Sequence, residues 1–290
     1  MKILKDDPTS RLILYFHGAA GTLGSGSRPQ SYRALSAAMP NLHVLAIDYR
    51  GFGLSTEWPS EDGSLMDAPT LFVFATETLG IPAERIILFG QFLGTAVALS
   101  LSHKLALGSS PTLFAGMVLV APMVDIETST RTYKIAGVVP LLSPMAFYPP
   151  LLSFFNTLII SKWSSRDKIA ELIGHLDSME PADPGNRYAI TLLHAEDDWD
   201  MPWIHSDMLF SCAARTMWNK KTVTEEGSQK EKTKRKTSLG AGGWEVEWRG
   251  RNGIVREQIV KYGLHDRITS YPTVSLAVAR VFEDARIGGS

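Results

Sequence analysis

Among 290 residues there is a single cysteine, Cys212. Internal disulfides are therefore excluded, as is any metal centre built on several thiolates. Net charge is equally scarce: 29 basic residues against 30 acidic ones leave a formal charge of -1. Without a global positive field, no nucleic-acid partner is expected. No repeat of 20–50 residues recurs along the chain, which excludes solenoid architectures. The first residues, Met1–Pro8, lack the apolar core of a signal peptide. The longest charge-free stretch, Ile135–Ser161, is interrupted by Pro140, Pro144, Pro149 and Pro150. A straight transmembrane helix does not tolerate such spacing, so this stretch reads as an apolar cap element.

What is present is an ordinary soluble composition, 44% hydrophobic and 20% charged. That excludes collagen-like, disulfide-scaffold and wholly disordered chains. Short Val-, Ile- and Leu-rich runs alternate with longer helical patterns, the signature of a parallel sheet covered on both faces. Strands are expected at Leu12–Phe16, His43–Ile47, Arg85–Phe89, Gly116–Val120, Tyr188–His194 and Gly243–Trp248. Helices are expected near Ser31–Ala38, Asp67–Leu79, Gly94–Leu107, Ser206–Ala213 and Thr273–Glu283. The chain begins almost at its first strand, so no upstream strand or anchor is expected within it.

Two segments break the alternation. Residues 126–183, lying between two core strands, are expected to form a cap over the carboxyl ends of the strands, where such sheets bind ligands. Residues 219–243, rich in Lys, Thr, Glu and Gly, are expected to be a disordered insertion. The core is then 1–125 together with 184–290, an α/β fold with a mostly parallel central sheet.

Five strings stand at strand ends and carry the chemistry. Tyr15-Phe16-His17-Gly18-Ala19-Ala20-Gly21 offers small residues whose backbone N–H groups can approach a ligand oxygen. Asp48-Tyr49-Arg50-Gly51-Phe52-Gly53-Leu54-Ser55 reads as a glycine-rich structural turn. Gly90-Gln91-Phe92-Leu93-Gly94 joins a strand to a helix with the spacing of a nucleophile elbow, and its central position is phenylalanine. In His194-Ala195-Glu196-Asp197-Asp198, Asp198 is the preferred orienting carboxylate and Asp197 the second choice. Tyr262-Gly263-Leu264-His265-Asp266-Arg267 supplies a loop histidine that completes the chain order of nucleophile position, Asp and His.

Taken together these strings resemble the alpha/beta-hydrolases, closely the fungal members similar to abhydrolase-domain monoacylglycerol lipases and lysophospholipases. They span Phe16 to Arg267 in the expected order. The resemblance implies His265 as general base, Asp198 as its partner, and the N–H groups of Ala19 and Leu93 as an oxyanion hole. It also implies a lipid or ester ligand held by the cap, peripheral membrane contact through that cap, and neither cofactor nor metal. An intracellular protein, soluble or peripherally bound to membrane, is expected.

The departure is as specific as the resemblance. Where the family pattern has serine this chain has Phe92, which offers neither a proton for His265 to take nor a lone pair to attack a carbonyl. Three readings stay open: a degenerate hydrolase that binds a lipid or runs non-hydrolytic acid–base chemistry through His265; a lipase carrying an inactivating substitution; and an interaction module with a vestigial pocket.

Overall fold

Side-chain alternation along β1 (Arg11–Phe16) divides the interior in two. Leu12, Leu14 and Phe16 face one apolar core, while Ile13 and Tyr15 face the other, because successive strand residues point to opposite sides. The computed structural model describes residues 7–19, 21–135, 137–140, 162–180, 188–224 and 236–286. After β1 the chain runs through α1 (Arg28–Ser36), β2 (Leu42–Ala46), α2 (Glu61–Val73), β3 (Ile86–Gln91), α3 (Leu93–Ala106) and β4 (Gly116–Val120). Next come α4 (Ile126–Thr132), the hairpin of β5 (Lys134–Ile135) and β6 (Val139–Pro140), α5 (Ser165–Leu176) and β7 (Tyr188–Ala195). The remainder is α6 (Ile204–Thr224), β8 (Thr237–Ser238), β9 (Trp244–Arg249), β10 (Gly253–Val260) and α7 (Pro272–Arg286).

One sheet has the order β2-β1-β3-β4-β7-β10-β9-β8. Neighbours from β2 to β10 are parallel, and β9 and β8 add an antiparallel edge. Helices α1 and α7 cover one face through Leu35, Val274, Val278 and Val281. Helices α2, α3, α5 and α6 cover the other through Leu71, Val97, Leu172 and Phe210. The expected α/β architecture is what the structure shows, with a strand or its immediate neighbourhood at each of the six expected places.

Three expectations need correction. Strand β10 was not expected, because Arg256, Glu257 and Gln258 interrupt its apolar pattern. Arg256 is nevertheless fully buried, its charge met by Glu247 at 2.6 Å and by Asp284. Paired burial of this kind leaves no hydrophobic signature in a sequence. The second correction concerns the cap: α5 falls inside residues 126–183 yet buries Ile169, Leu172, Ile173 and Leu176 in the same core as α3 and α6. Those residues recur at helical spacing and place α5 in the body of the fold. The proline-studded residues 141–161 lie outside the described residues. The third concerns residues 219–243: α6 continues to Thr224, and β8 pairs with β9 through Thr237↔Glu245 and Ser238↔Trp244. Both ends of the expected insertion are thus regular structure, while residues 225–235 lie outside the described ones.

The placement of α5 can be checked directly. Leu172→Ala should lower the unfolding free energy by about 2–5 kcal/mol in a denaturant titration, the cost of emptying a core position. A loss near zero would mean that α5 is a detachable cap after all.

Candidate active site

The elbow between β3 and α3 is forced by two glycines. A Cβ on Gly94 would stand 1.9 Å from the carbonyl oxygen of Phe16, and one on Gly90 would stand 2.5 Å from the carbonyl oxygen of Gly94. Strand and helix therefore cross closely, and the residue between them is pushed into an uncommon backbone conformation. Phe92 has φ 48° and ψ -110°. For a bulky residue that costs roughly 1–3 kcal/mol. Three hydrogen bonds hold it: Phe92 N–H donates to Val120 O at 3.1 Å, and Thr95 donates to Phe92 O from N–H at 3.0 Å and from Oγ1 at 2.5 Å.

The Phe92 ring is half-buried and points at the histidine loop. Its centroid lies 5.2 Å from that of His265, edge to face at 76°, and 5.5 Å from that of Tyr133. Tyr133 and His265 are themselves 5.9 Å apart, so three rings close a triangle at the carboxyl end of the sheet. His265 sits on the loop after β10, and its Nδ1 is 2.7 Å from Asp198 Oδ2. Asp198 follows β7, fully buried at its side chain. Its Oδ1 accepts N–H from Asp200 at 3.1 Å and from Met201 at 2.8 Å. The structure thus brings Phe92, Asp198 and His265 together.

Leu93 opens α3 beside this cluster, and first-turn amides have no partner within their own helix. Ala19 is exposed on the loop after β1, next to Gly18, on which a Cβ would lie 3.5 Å from Phe92 Cβ. That loop is held from several sides. Arg28 donates to Gly18 O at 3.1 Å and to Thr22 O at 2.6 Å. The Leu23 N–H donates to Asp48 Oδ1 at 2.9 Å. Buried His17 donates from Nδ1 to Gly18 O at 2.8 Å. Burial pushes the His17 pKa down and keeps the ring neutral, although Asp48 is 3.4 Å from its Nε2. The glycine-rich turn after β2 is structural as expected: Gly53, at φ 56°, has Asp48 where a side chain would go.

Sequence reasoning missed four contributors. His194 is buried with Nε2 at 3.1 Å from Asp198 Oδ2 and 3.0 Å from Met201 O, while Nδ1 meets Ser206 Oγ at 2.9 Å. It lies four residues before Asp198 at a strand end, which reads as strand and nothing more. Tyr133 stands two residues before the uncharged run and has no motif. Gln91, beside the elbow centre, reaches His265 O at 3.4 Å and Asp266 Oδ1 at 3.3 Å through Nε2. Asp200 accepts Gly137 N–H at 2.9 Å on Oδ1 and Lys134 N–H at 2.9 Å on its carbonyl, tying the β5–β6 hairpin to the acid loop. Among the described residues no group of His, Cys, Asp and Glu is arranged to hold a metal ion.

Burial opposes charge on both members of the Asp198–His265 pair. For Asp198 the hydrogen bonds from His194 and His265 win, and its carboxyl is held well below the usual range. For His265 the hydrogen bond and charge of Asp198 win, helped by Asp266 and Asp200, and the imidazole pKa is raised. The two shifts report one interaction and act in opposite pH directions. The raised histidine stabilises the fold fully below its unfolded pKa of about 6.5, and loses that contribution as pH rises through its folded value. The depressed carboxylate stabilises above its unfolded pKa of about 3.9, and loses that contribution as pH falls through its folded value. Compared with Asp198→Asn, the parent chain should gain most stability between about pH 4 and 6.5. Urea titrations of both chains across pH 3–9 would reveal a parallel pair of profiles if the pairing were absent.

Comparison with known proteins places the chain among recognised relatives. The family model described as "Serine aminopeptidase, S33" matches residues 7–168. Lysophosphatidylserine lipase ABHD12 of Danio rerio is 30% identical over 205 residues, covering 71% of this chain and 48% of that protein. Protein ABHD12B of Homo sapiens is 29% identical over 215 residues, covering 73% and 52%. The chain spans about half the length of the relatives it matches. Among solved structures, the Pyrococcus furiosus esterase Pf2001 superposes with a TM-score of 0.57 at 12% identity, covering 97% of this chain and 82% of the esterase. An alpha-beta hydrolase from Vibrio vulnificus gives 0.56 at 16% identity, covering 94% and 73%. With a family model matching more than half of the chain, a relative at 30% identity and solved structures of the same fold, the chain belongs to the alpha/beta-hydrolase family.

Proposed function

We propose that this chain binds a lipid ester in the manner of its family and does not hydrolyse it, because Phe92 stands where a serine nucleophile would stand. The observation that carries this reading is the elbow itself. Phe92 holds the strained φ of 48° at the strand–helix turn, with its ring against a His265 that is bonded to Asp198 at 2.7 Å. In a working site the imidazole Nε2 takes the hydroxyl proton as oxygen attacks the ester carbonyl, and backbone N–H groups receive the oxyanion. Here the imidazole has a phenyl ring beside it, 5.2 Å between centroids. Loss of the nucleophile in subtilisin lowers turnover about 10⁶-fold, roughly 8–9 kcal/mol of barrier. Lipid as ligand class is supported by relatives named lysophosphatidylserine lipase.

A second reading is favoured by the intact pair. A carboxylate and an imidazole that no longer serve a nucleophile are free to diverge, yet Asp198 and His265 keep a short buried hydrogen bond. That bond supports non-hydrolytic acid–base chemistry through His265. The two readings separate on one variant. Phe92→Ser should restore cleavage of a short p-nitrophenyl ester and covalent labelling of residue 92 by a fluorophosphonate. Adding His265→Ala should then cut the gained turnover by several orders of magnitude. A folded Phe92→Ser chain with neither labelling nor turnover would reject recent loss and leave the repurposed site.

Contact with a lipid surface is part of the same proposal. Large exposed apolar side chains gather on loops beyond the carboxyl ends of the strands: Trp58 at 88%, Val138 at 76%, Trp199 at 68% and Tyr262 at 63% exposed. Trp and Tyr suit the headgroup level of a bilayer, and the exposed Lys134 and Lys261 on the same loops suit anionic lipid. Among the described residues no helix is long and apolar enough to cross a membrane. Sedimentation with vesicles of phosphatidylcholine, with and without phosphatidylglycerol, should pull down the chain. Trp199→Ser together with Val138→Ser should weaken the association, and a chain indifferent to both vesicle types would refute it.

A further inference from the structure

The loop after β7 carries four carboxylates, Glu196, Asp197, Asp198 and Asp200, and among the described hydrogen bonds it is Asp198 that meets the imidazole. Asp198 Oδ2 takes His265 Nδ1–H. Asp197 instead directs Oδ1 at the backbone of the opposite loop, accepting N–H from Gly263 and from Leu264 at 2.8 Å each. Those are the two residues immediately before His265. Leu264 has φ 52°, a left-handed conformation that a leucine disfavours. Leu264 is 37% exposed, so burial offsets the strain only in part. Two charge-assisted hydrogen bonds on one carboxylate oxygen hold the turn.

We propose that Asp197 is a positioning residue, whose two hydrogen bonds hold the Gly263–Leu264 turn in the conformation that aims the His265 imidazole at Asp198 and at residue 92. The proposal rests on His265 being the proton-handling group of this site. The other anchors of the loop cannot substitute. Gln91 reaches it only at 3.3–3.4 Å, and Ser27 Oγ donates at 2.7 Å to Asp266 O, after the histidine instead of before it. The action is geometric: both hydrogen bonds of Asp197 Oδ1 go to backbone N–H groups, while the charges that raise the His265 pKa most are those of Asp198, Asp266 and Asp200. Among the described residues the uncharged rings of Phe92 and Tyr133 also pack on the imidazole.

The test is made on the full chain by proton and nitrogen NMR of the histidines, which needs no hydrolytic activity. A buried Nδ1–H donated to a carboxylate gives a strongly deshielded proton, and its loss reports rotation of the ring. Asp197→Asn keeps an oxygen acceptor on the same stem and should retain both that signal and the titration midpoint of His265. Asp197→Ala should lose the signal and move the midpoint toward the ordinary value of about 6.5. Adding Leu264→Gly to Asp197→Ala should bring the signal back, because glycine accepts the left-handed turn without help. If Asp197→Ala alone fails to fold, the folded double variant decides the matter: signal present supports the proposal, signal absent overturns it. A folded Asp197→Ala chain with signal and midpoint unchanged overturns it as well. In the Phe92→Ser background, Asp197→Ala should lower kcat about 100-fold with KM little changed. Should Phe92→Ser show no turnover, the functional reading fails while the NMR arms still decide the role of Asp197.

Discussion

Gly94 lies so close to the end of β1 that any side-chain carbon on it would stand 1.9 Å from the Phe16 carbonyl. Much of the site depends on that close crossing. It brings the first turn of α3 beside the loop after β1, so that the amides at Leu93 and the Ala19 loop share one corner. It also bends the chain at Phe92 into positive φ and lifts that side chain out of the sheet toward the loops after β7 and β10. A backbone packed this tightly against backbone has no soft neighbour to absorb a methyl group, so the geometry is over-determined and the strain at residue 92 persists.

Around that corner the polar groups form a chain of supports, each holding the next. Asp198 is shared by two imidazoles, His194 beneath and His265 above, and its other oxygen takes two backbone N–H groups. A buried carboxylate with so many donors stays ionised despite its desolvation. His194, at the end of β7, is fixed in turn by Ser206 in the first turn of α6 and by Met201 ahead of that helix. The adjacent Asp200 fastens the β5–β6 hairpin that brings Tyr133 against Phe92 and His265. One short loop after β7 therefore orders the acid, the histidine turn and the wall of the site.

The phenyl ring at the elbow finds other rings. An edge-to-face contact with His265 and a tilted one with Tyr133 offset part of the backbone cost at Phe92. The Asp198–His265 hydrogen bond stands beside these contacts at 2.7 Å, so a buried polar pair and an apolar elbow residue coexist in one chain.

By itself the amino-acid sequence determined the alternation of strands and helices, the elbow spacing at Gly90 and Gly94, and the order of Phe92, Asp198 and His265. Each of these is written in local periodicity or in a residue type with one dominant backbone use. Tertiary structure decided the rest. Strand β10 carries charge in its middle, and only the pairing of Arg256 with Glu247 and Asp284 makes it a central strand. Helix α5 looked like part of an insertion until its apolar stripe met α3 and α6. The sequence prefers Asp198 to Asp197, but that Asp197 bonds the turn before His265 while Asp198 bonds its ring depends on the approach of a loop 67 residues away. His194 and Gln91 stand inside motif strings without a role of their own there, Tyr133 stands in none, and their contacts arise from distances that no local pattern encodes. Contacts between residues far apart in the chain leave no periodicity behind, so only the folded arrangement reveals them.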